Sequence, residues 1–575
     1  MTSRDDSPIR ATAPWWTSAV VYQIYPRSFA DSNGDGIGDL AGIRSRLDHL
    51  EELGVDVIWL SPIYRSPQFD NGYDISDYED IDPVFGDLAG FDALLADLHR
   101  RGMKLVMDLV VNHTSHLHPW FIESSSSTDN PKRDWYWWRS PRAGEGGPGA
   151  PNNWRSFFAS SSWTLDETTG EYYLHLFAPQ QPDLNWENRE VREAVYAMMR
   201  RWLDRGVDGF RMDVINFISK DTSLPDGPLE PGAVGGDGSA FYLSGPRIHE
   251  FLQEMHREVF AGRDAELITV GETPGVTLED GRLFTDPARA ELDMIFQFEH
   301  VSLDRGPGRY EKRALSLPAL KQSLARWQDG LGPADDGRER GWNSLYLNNH
   351  DQPRLVSRYG DDGRFRRESA TLWATILHLH RGTPYVYQGE EIGMTNTTFT
   401  AIDDFADLEA LNHYREQVEL LGADPEAVLE DLRALSRDNA RTPVQWDPTE
   451  QAGFTTGTPW MAVNPNRSEV NLVDERDAPG SVFRHYQRLI RLRHEDETVR
   501  LGDFELLEAA HPTLYAFTRT LGGDRLLVVG NVSGEPLEVP LLERWGDAAL
   551  IIGNRDGGTG TTLQPWEVRV LRAGR

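Results

Sequence analysis

The sequence predicts an α/β chain built on a (β/α)8 TIM barrel, with an inserted subdomain after the third strand and a C-terminal antiparallel β domain. Three observations carry this reading. Eight short runs rich in β-branched and aromatic residues recur in order, most of them separated by an amphipathic helical stretch, as in a parallel sheet. Eight is the number that closes a barrel. No Gly-rich phosphate loop follows the first run, which weighs against an open doubly wound sheet.

The runs occupy residues 20–25, 55–60, 104–111, 209–214, 266–271, 294–299, 342–348 and 384–387. Between the third and the fourth, residues 112–182 are rich in Trp, Gly, Pro and Ser and far longer than an ordinary βα connection, so they read as an inserted subdomain. The barrel then spans 1–111 and 183–497. A second excursion, residues 390–459, is expected to cover the same barrel end. After a helical stretch at 482–494 the pattern changes to short strands with turns at 513–520, 525–532 and 567–571, placing an antiparallel domain at 498–575. Only residues 124–127 and 144–149 approach low complexity, and no internal repeat is seen.

Composition narrows the function. At 575 residues the chain exceeds one compact core. With 39% hydrophobic residues and no bilayer-length apolar run, no membrane association is expected. The polar N-terminus lacks an apolar stretch ahead of a small-residue cleavage site, so a cytoplasmic protein is expected. There is no cysteine, which excludes disulfides, thiolate metal sites and cysteine nucleophiles. The net charge of −33 repels nucleic acid and disfavours anionic substrates, although solubility accounts for most of it. A small neutral molecule fits best.

Acidic residues close several predicted strands, where barrel enzymes assemble their sites. Asp213 ends Gly209-Phe210-Arg211-Met212-Asp213, Glu272 ends Leu267-Ile268-Thr269-Val270-Gly271-Glu272, and Asp351 ends Leu347-Asn348-Asn349-His350-Asp351. Any one alone would read as a strand-end cap. Three converging on a barrel mouth suit glycoside hydrolysis, in which a retaining enzyme holds its two reacting carboxyls roughly 5–5.5 Å apart. Arg211, two residues before Asp213, shares its strand face and is expected to keep that carboxylate ionised, while Glu272, after an apolar strand, is the expected acid.

These residues resemble glycoside hydrolase family 13, the α-amylase family, in its oligo-1,6-glucosidase and α-glucosidase branch. The resemblance runs from Trp15-Trp16 to the β tail. Asp108-Leu109-Val110-Val111-Asn112-His113, Gly209 to Val214, Val270-Gly271-Glu272 and Asn349-His350-Asp351-Gln352-Pro353-Arg354 look like four of the family's sequence regions, and Gln181-Pro182-Asp183-Leu184-Asn185-Trp186 like a fifth. The resemblance implies Asp213 as nucleophile, Glu272 as general acid/base and Asp351 as the carboxylate that grips the distorting sugar. It implies that Asp74 and Arg441 hold the terminal hydroxyls, that His113 and His350 hydrogen-bond the ring, and that Tyr73 and Phe177 stack on it. Gln181 and Arg211 complete the expected binding set.

Asp31-Ser32-Asn33-Gly34-Asp35-Gly36-Ile37-Gly38-Asp39 places oxygen side chains at alternate positions, as in the first part of a calcium loop, with the Ile37 carbonyl as a further donor. Gly42 stands where an EF-hand has its glutamate. The family resemblance implies a structural Ca2+ or Mg2+ held by Asp31, Asn33, Asp35, Ile37 and Asp39. No organic cofactor is expected. Val214, directly after the nucleophile, resembles the α-1,6-acting enzymes of the branch, and a steric effect on the leaving sugar is expected. Residues 302–306, Ser-Leu-Asp-Arg-Gly, lack both ends of the Arg-Leu-Asp-Arg-Asp motif of isomaltulose synthases, which favours hydrolysis over sucrose isomerisation or transglucosylation. A non-catalytic transport-accessory protein on the same fold would be expected to have lost some of the three carboxylates and to carry a membrane helix. A monomer or homodimer is expected.

Overall fold

Parallel strands covered on both faces need near-continuous apolar sequence, and each of the eight predicted runs supplies it. In a computed structural model they become β1 (Val21–Ile24), β2 (Val57–Leu60), β3 (Lys104–Val110), β4 (Gly209–Asp213), β5 (Ile268–Glu272), β6 (Met294–Phe296), β7 (Ser344–Leu345) and β8 (Thr383–Tyr387), buried throughout except at Lys104. The structure describes all residues but 1–12, 145–146, 159–160, 230–234, 307–309, 335–336, 556–559 and 574–575. Most of the polar N-terminus and part of the Gly-rich patch at 144–149 therefore lie outside the described residues.

Strands pair in parallel in chain order from β1 to β6, β7 pairs with β8, and β8 returns to β1. A parallel bridge between Ile295 and Asn343 closes the last seam. The β4 strand starts at Gly209, where φ is +155° and a Cβ would stand 1.9 Å from the Ile268 carbonyl oxygen, so only glycine lets β4 lie this close to β5.

Helices α1 (Leu88–Arg100) and α2 (Arg189–Arg205) precede β3 and β4. The first buries Phe91, Leu94, Leu95 and Leu98, spaced at helical intervals, while the Asp87 carboxylate caps its start by accepting from Gly90 N–H. Each such side chain stabilises by about 1.5–3 kcal/mol on full burial. The second is capped by Asn188 and stopped by Gly206 in the left-handed region at φ +111°.

Within residues 112–182, strands Trp138–Arg139, Glu171–Leu174 and Trp163–Asp166 form an antiparallel sheet. The segment's aromatics Trp137, Trp154 and Trp163 pack in one cluster with Val214 and Phe217 just beyond β4, which ties this segment to the C-terminal end of the barrel strands. The second excursion carries α3 (Leu408–Tyr414), α4 (Pro425–Leu435) and one turn at Asp438–Arg441. The predicted stretch at 482–494 is α5 (Val482–Glu495).

The C-terminal sheet is antiparallel, in the order β9 (Asp503–Leu507), β10 (Leu514–Leu521), β11 (Asp524–Asn531), β13 (Val568–Arg572), β12 (Ala549–Gly553). The edge strands β9 and β12 were not anticipated: β9 is partly exposed with acidic residues along it, and β12 is interrupted by a register shift between Leu550 and Ile552. Among the described residues no helix is long and apolar enough to cross a membrane.

Candidate active site

Parallel register sets the geometry of the strand-end carboxyls. Met212 pairs with Gly271, so the next residues, Asp213 and Glu272, emerge side by side from adjacent strands at the same barrel end. Arg211 lies beneath them, its Nη1 2.7 Å from Asp108 Oδ1 and 2.8 Å from Asp213 Oδ1, its Nη2 2.6 Å from Glu272 Oε2. The guanidinium rests against the Trp59 ring, centroid distance 5.0 Å, and Trp59 Nε1 donates to Asp108 Oδ2 at 3.1 Å.

This differs from the expectation that Arg211 serves Asp213. One cation is shared by three buried carboxyls and so cannot by itself hold Asp213 ionised. Burial and the Glu272 charge push Asp213 well above the usual carboxylate range against the pull of Arg211. Burial also lifts Asp108 to about 6. Asp213 and Glu272 stand side by side above the shared Arg211, so the charge of Glu272 opposes ionisation of Asp213. Two neighbouring carboxyls whose ionisations oppose one another are what a nucleophile and an acid need.

The carboxyls open into a cavity of about 310 Å³ that is also lined by Tyr73, His113, Phe177 and Val214, with Asp351 facing them from the loop after β7. Asp351 Oδ1 accepts from Arg437 Nη1 at 2.9 Å and Arg441 Nη2 at 3.0 Å. Burial alone would raise Asp351, yet its charged surroundings hold it well below the usual range. Because burial keeps His350 neutral, with a pKa of about 3, the two arginines carry that effect. Burial likewise brings His113 down to about 4, so both imidazoles are neutral hydrogen-bonding groups at neutral pH.

Several expected binding residues stand one layer behind the cavity wall. Asp74 is fully buried, its carboxylate taken up by Ser66 Oγ and the N–H groups of Phe69 and Asp70, so it closes a turn instead of facing a sugar. Arg441 is buried behind Asp351 with Nε on the His350 carbonyl at 3.1 Å. The residues that do line the cavity at this end are Asp70 and Arg437, linked at 3.2 Å, and Arg437 is anchored to Asp407 at 2.7 Å. Gln181 orients from behind, its Nε2 3.0 Å from Asp70 Oδ2 and 3.2 Å from His113 Nε2. His350 is held by Tyr73 Oη at 2.7 Å and Gln23 Nε2 at 2.8 Å. Each missed residue lies four positions before the expected one and is of the same type, so the motif alone did not separate Asp70 from Asp74 or Arg437 from Arg441.

Two further features come from tertiary contacts. Lys220, fully buried, places Nζ 3.0 Å from Asp183 Oδ2, 3.0 Å from Asn112 Oδ1 and 2.8 Å from the Phe217 carbonyl, stitching the inserted segment to the loop after β4. Val214 sits at φ +36°, a left-handed conformation that costs a β-branched residue about 1–3 kcal/mol, and its N–H donates to Glu272 Oε2 at 3.1 Å.

The oxygen-rich loop at 31–39 folds through successive Asx turns: Asp31 Oδ1 accepts from Asn33 and Gly34 N–H, Asn33 Oδ1 from Asp35 N–H, and Asp35 Oδ1 from Ile37 N–H. Asp39 caps the following helical turn, accepting from Gly42 N–H and Ser32. No three acidic or histidine side chains converge as a metal-binding group among the described residues. The oxygen-bearing side chains at 31, 33, 35 and 39 are of the type a hard cation takes, while here Asn33 Nδ2 donates to Asp35 Oδ2 at 3.0 Å.

Residues 23–502 match the α-amylase catalytic domain. The chain is 55% identical over 566 residues to the oligo-1,6-glucosidase of Parageobacillus thermoglucosidasius, covering 97% of this chain and 99% of that one. It superposes on the trehalose-6-phosphate hydrolase of Bacillus licheniformis with a TM-score of 0.91 and 45% identity, covering 97% and 100% of the two chains. It superposes on the trehalulose synthase of Pseudomonas mesoacidophila with a TM-score of 0.90 and 42% identity, covering 98% and 100%. With its barrel, its paired strand-end carboxyls and these likenesses over nearly its whole length, the chain belongs to the α-amylase family of glycoside hydrolases.

Proposed function

We propose that this protein is an exo-acting retaining α-glucosidase that releases glucose from the non-reducing end of short α-glucosides and favours α-1,6 linkages. The observation that carries the reading is the adjacent pair Asp213 and Glu272, both on Arg211, at a cavity whose opposite end is closed by Asp70, Arg437 and Asp351. Asp213 attacks the anomeric carbon while Glu272 gives its proton to the departing oxygen. Water then adds to that carbon, giving a proton to Glu272 and releasing Asp213. Asp351, held ionised by two arginines, accepts hydrogen bonds from ring hydroxyls, and Asp70 with Arg437 meets the terminal ones. Tyr73 and Phe177 supply apolar contact.

The α-1,6 preference is supported by Val214 at the cavity wall and by the name borne by the Parageobacillus relative. Transglucosylation or sucrose isomerisation would use the same intermediate, and the likeness to a trehalulose synthase keeps it as the second reading. Isomaltose, maltose, sucrose, trehalose and panose, each incubated with the enzyme and resolved by chromatography, decide between them. Glucose from isomaltose with little from maltose is expected. Rearranged sucrose as the main product would replace the hydrolase reading.

The loop at 31–39 is proposed to hold a stabilising Ca2+ or Mg2+ through Asp31, Asn33, Asp35, Asp39 and the Ile37 carbonyl, supported by its all-oxygen donor set. A cytoplasmic monomer or homodimer is proposed as well, to be checked by cell fractionation and light scattering.

A further inference from the structure

We infer that Phe158 is the partition that makes the glucose pocket blind, and that its ring sets which substituents a terminal glucose can carry; this rests on the α-glucosidase reading above. Beside the active cavity lies a second one of about 450 Å³, between the inserted segment and the stretch that begins with α3. Phe157 and Phe158 line both cavities. Phe158 is the buried member, its ring centroid 5.2 Å from the Arg437 guanidinium carbon, so the residue that closes the pocket also backs the arginine that meets Asp70 and Asp351.

The partition is held from the far side. Asn412 Nδ2, on α3, donates to the Phe158 carbonyl at 2.8 Å, and Arg155 pairs with Glu416 at 2.9 Å. Phe158 N–H is bound by Ser156 Oγ at 3.0 Å. The backbone on which the ring is mounted is therefore tied to the second excursion, and removing the ring alone leaves these ties in place. Space beyond the ring already exists, so trimming Phe158 should join two cavities, where most buried rings would leave only a closed void.

The test pairs a hole with a matching group. The substrates are p-nitrophenyl α-glucoside and its O4- and O6-benzyl ethers, and the enzymes are wild type, Phe158→Ala and Phe158→Leu. Wild type is expected to cleave the parent and reject both ethers. Phe158→Ala should gain at least about tenfold in kcat/KM on one ether, because the benzyl group fills the vacated space. On the parent it should raise KM more than it lowers kcat, because Arg437 loses its backing. A folded Phe158→Ala that still cleaves the parent and gains on neither ether overturns the inference. If the alanine variant does not fold, Phe158→Leu decides on the same criterion, with a smaller gain expected. Failure of wild type on the parent would instead sink the α-glucosidase reading, so the two failures are distinct.

Discussion

At the scale of single residues, the proposed catalytic pair Asp213 and Glu272 trades stability for chemistry. Burial and Glu272 raise Asp213 well above its unfolded value near ~3.9, so the native state resists ionising it. Native stability is therefore lost as pH rises from the unfolded pKa towards the folded one, and Asp213→Asn should escape that loss. We expect kcat to fall by several orders of magnitude while Tm at pH 7 rises above wild type, the difference shrinking towards pH 4. Activity within tenfold of wild type would defeat the nucleophile assignment, and a Tm below wild type at pH 7 would defeat the electrostatic account. Val214 is the second case. Its side chain lines the cavity beside Asp213, where a leaving sugar attached through a secondary ring hydroxyl has less freedom than one attached through a CH2. Val214→Ala should narrow the preference for isomaltose over maltose by roughly 10–200-fold, mainly by gaining maltose activity. Steady-state kcat/KM values for both sugars measure it, and an unchanged ratio would move specificity to other loops.

At the scale of elements, the site depends on how closely β4 lies against β5. Gly209→Ala would drive a methyl into the Ile268 carbonyl, backbone against backbone, so neither group can rotate away. The variant should lose most of its soluble yield, and any folded fraction should show impaired kcat because Asp213 and Glu272 lose their register. A soluble variant with wild-type kcat would refute this. The loop at 31–39 offers the milder case. It is bound to the residue 453–460 segment through Asp31 with Phe454 and Thr455, and through the Gly36 carbonyl with Trp460 N–H. An ion there would brace two distant stretches. Chelation should lower Tm while changing the initial rate at 25 °C much less. Protein purified without chelator that contains neither Ca2+ nor Mg2+ on metal analysis would end the proposal.

At the scale of the whole molecule, buried cations fasten the C-terminal sheet to the barrel. Lys321 Nζ donates to the carbonyls of Glu508, His511 and Leu514 at 2.7, 2.8 and 2.8 Å. Arg519, in the second half of β10, donates to the Leu379 and Val499 carbonyls and to Gly502 O at 2.7 Å. Replacing Lys321 by Met keeps the apolar stem and strands three carbonyls, at a cost of about 1–3 kcal/mol for a buried group left unpaired. Lys321→Met should lower the first calorimetric transition with little change in KM, since the clamp is remote from the cavity. An unchanged transition would show that Arg519 suffices.

The sequence alone was enough to place eight strands, because a strand buried on both faces demands a local apolar run and β-branched residues wherever it occurs. It also located Asp213 and Glu272, since strand ends are legible and a barrel sends them to one mouth. The edge strands β9 and β12 escaped it because β9 offers only a five-residue alternation that is nowhere fully buried, and β12 loses its period at the register shift between Leu550 and Ile552. What only the tertiary structure decided was which polar groups face the cavity. Asp70 and Asp74 lie four residues apart, as do Arg437 and Arg441; Asp74 is consumed by its own turn and Arg441 by His350 and Asp351 from far along the chain, while Asp70 and Arg437 meet at the cavity. Arg211 is the same lesson in charge: local spacing puts it beside Asp213, but Asp108 and Glu272 reach it from the flanking strands β3 and β5, and the guanidinium is shared among all three. Hydrogen bonds and charges are satisfied by proximity in space, and a linear pattern records only proximity along the chain.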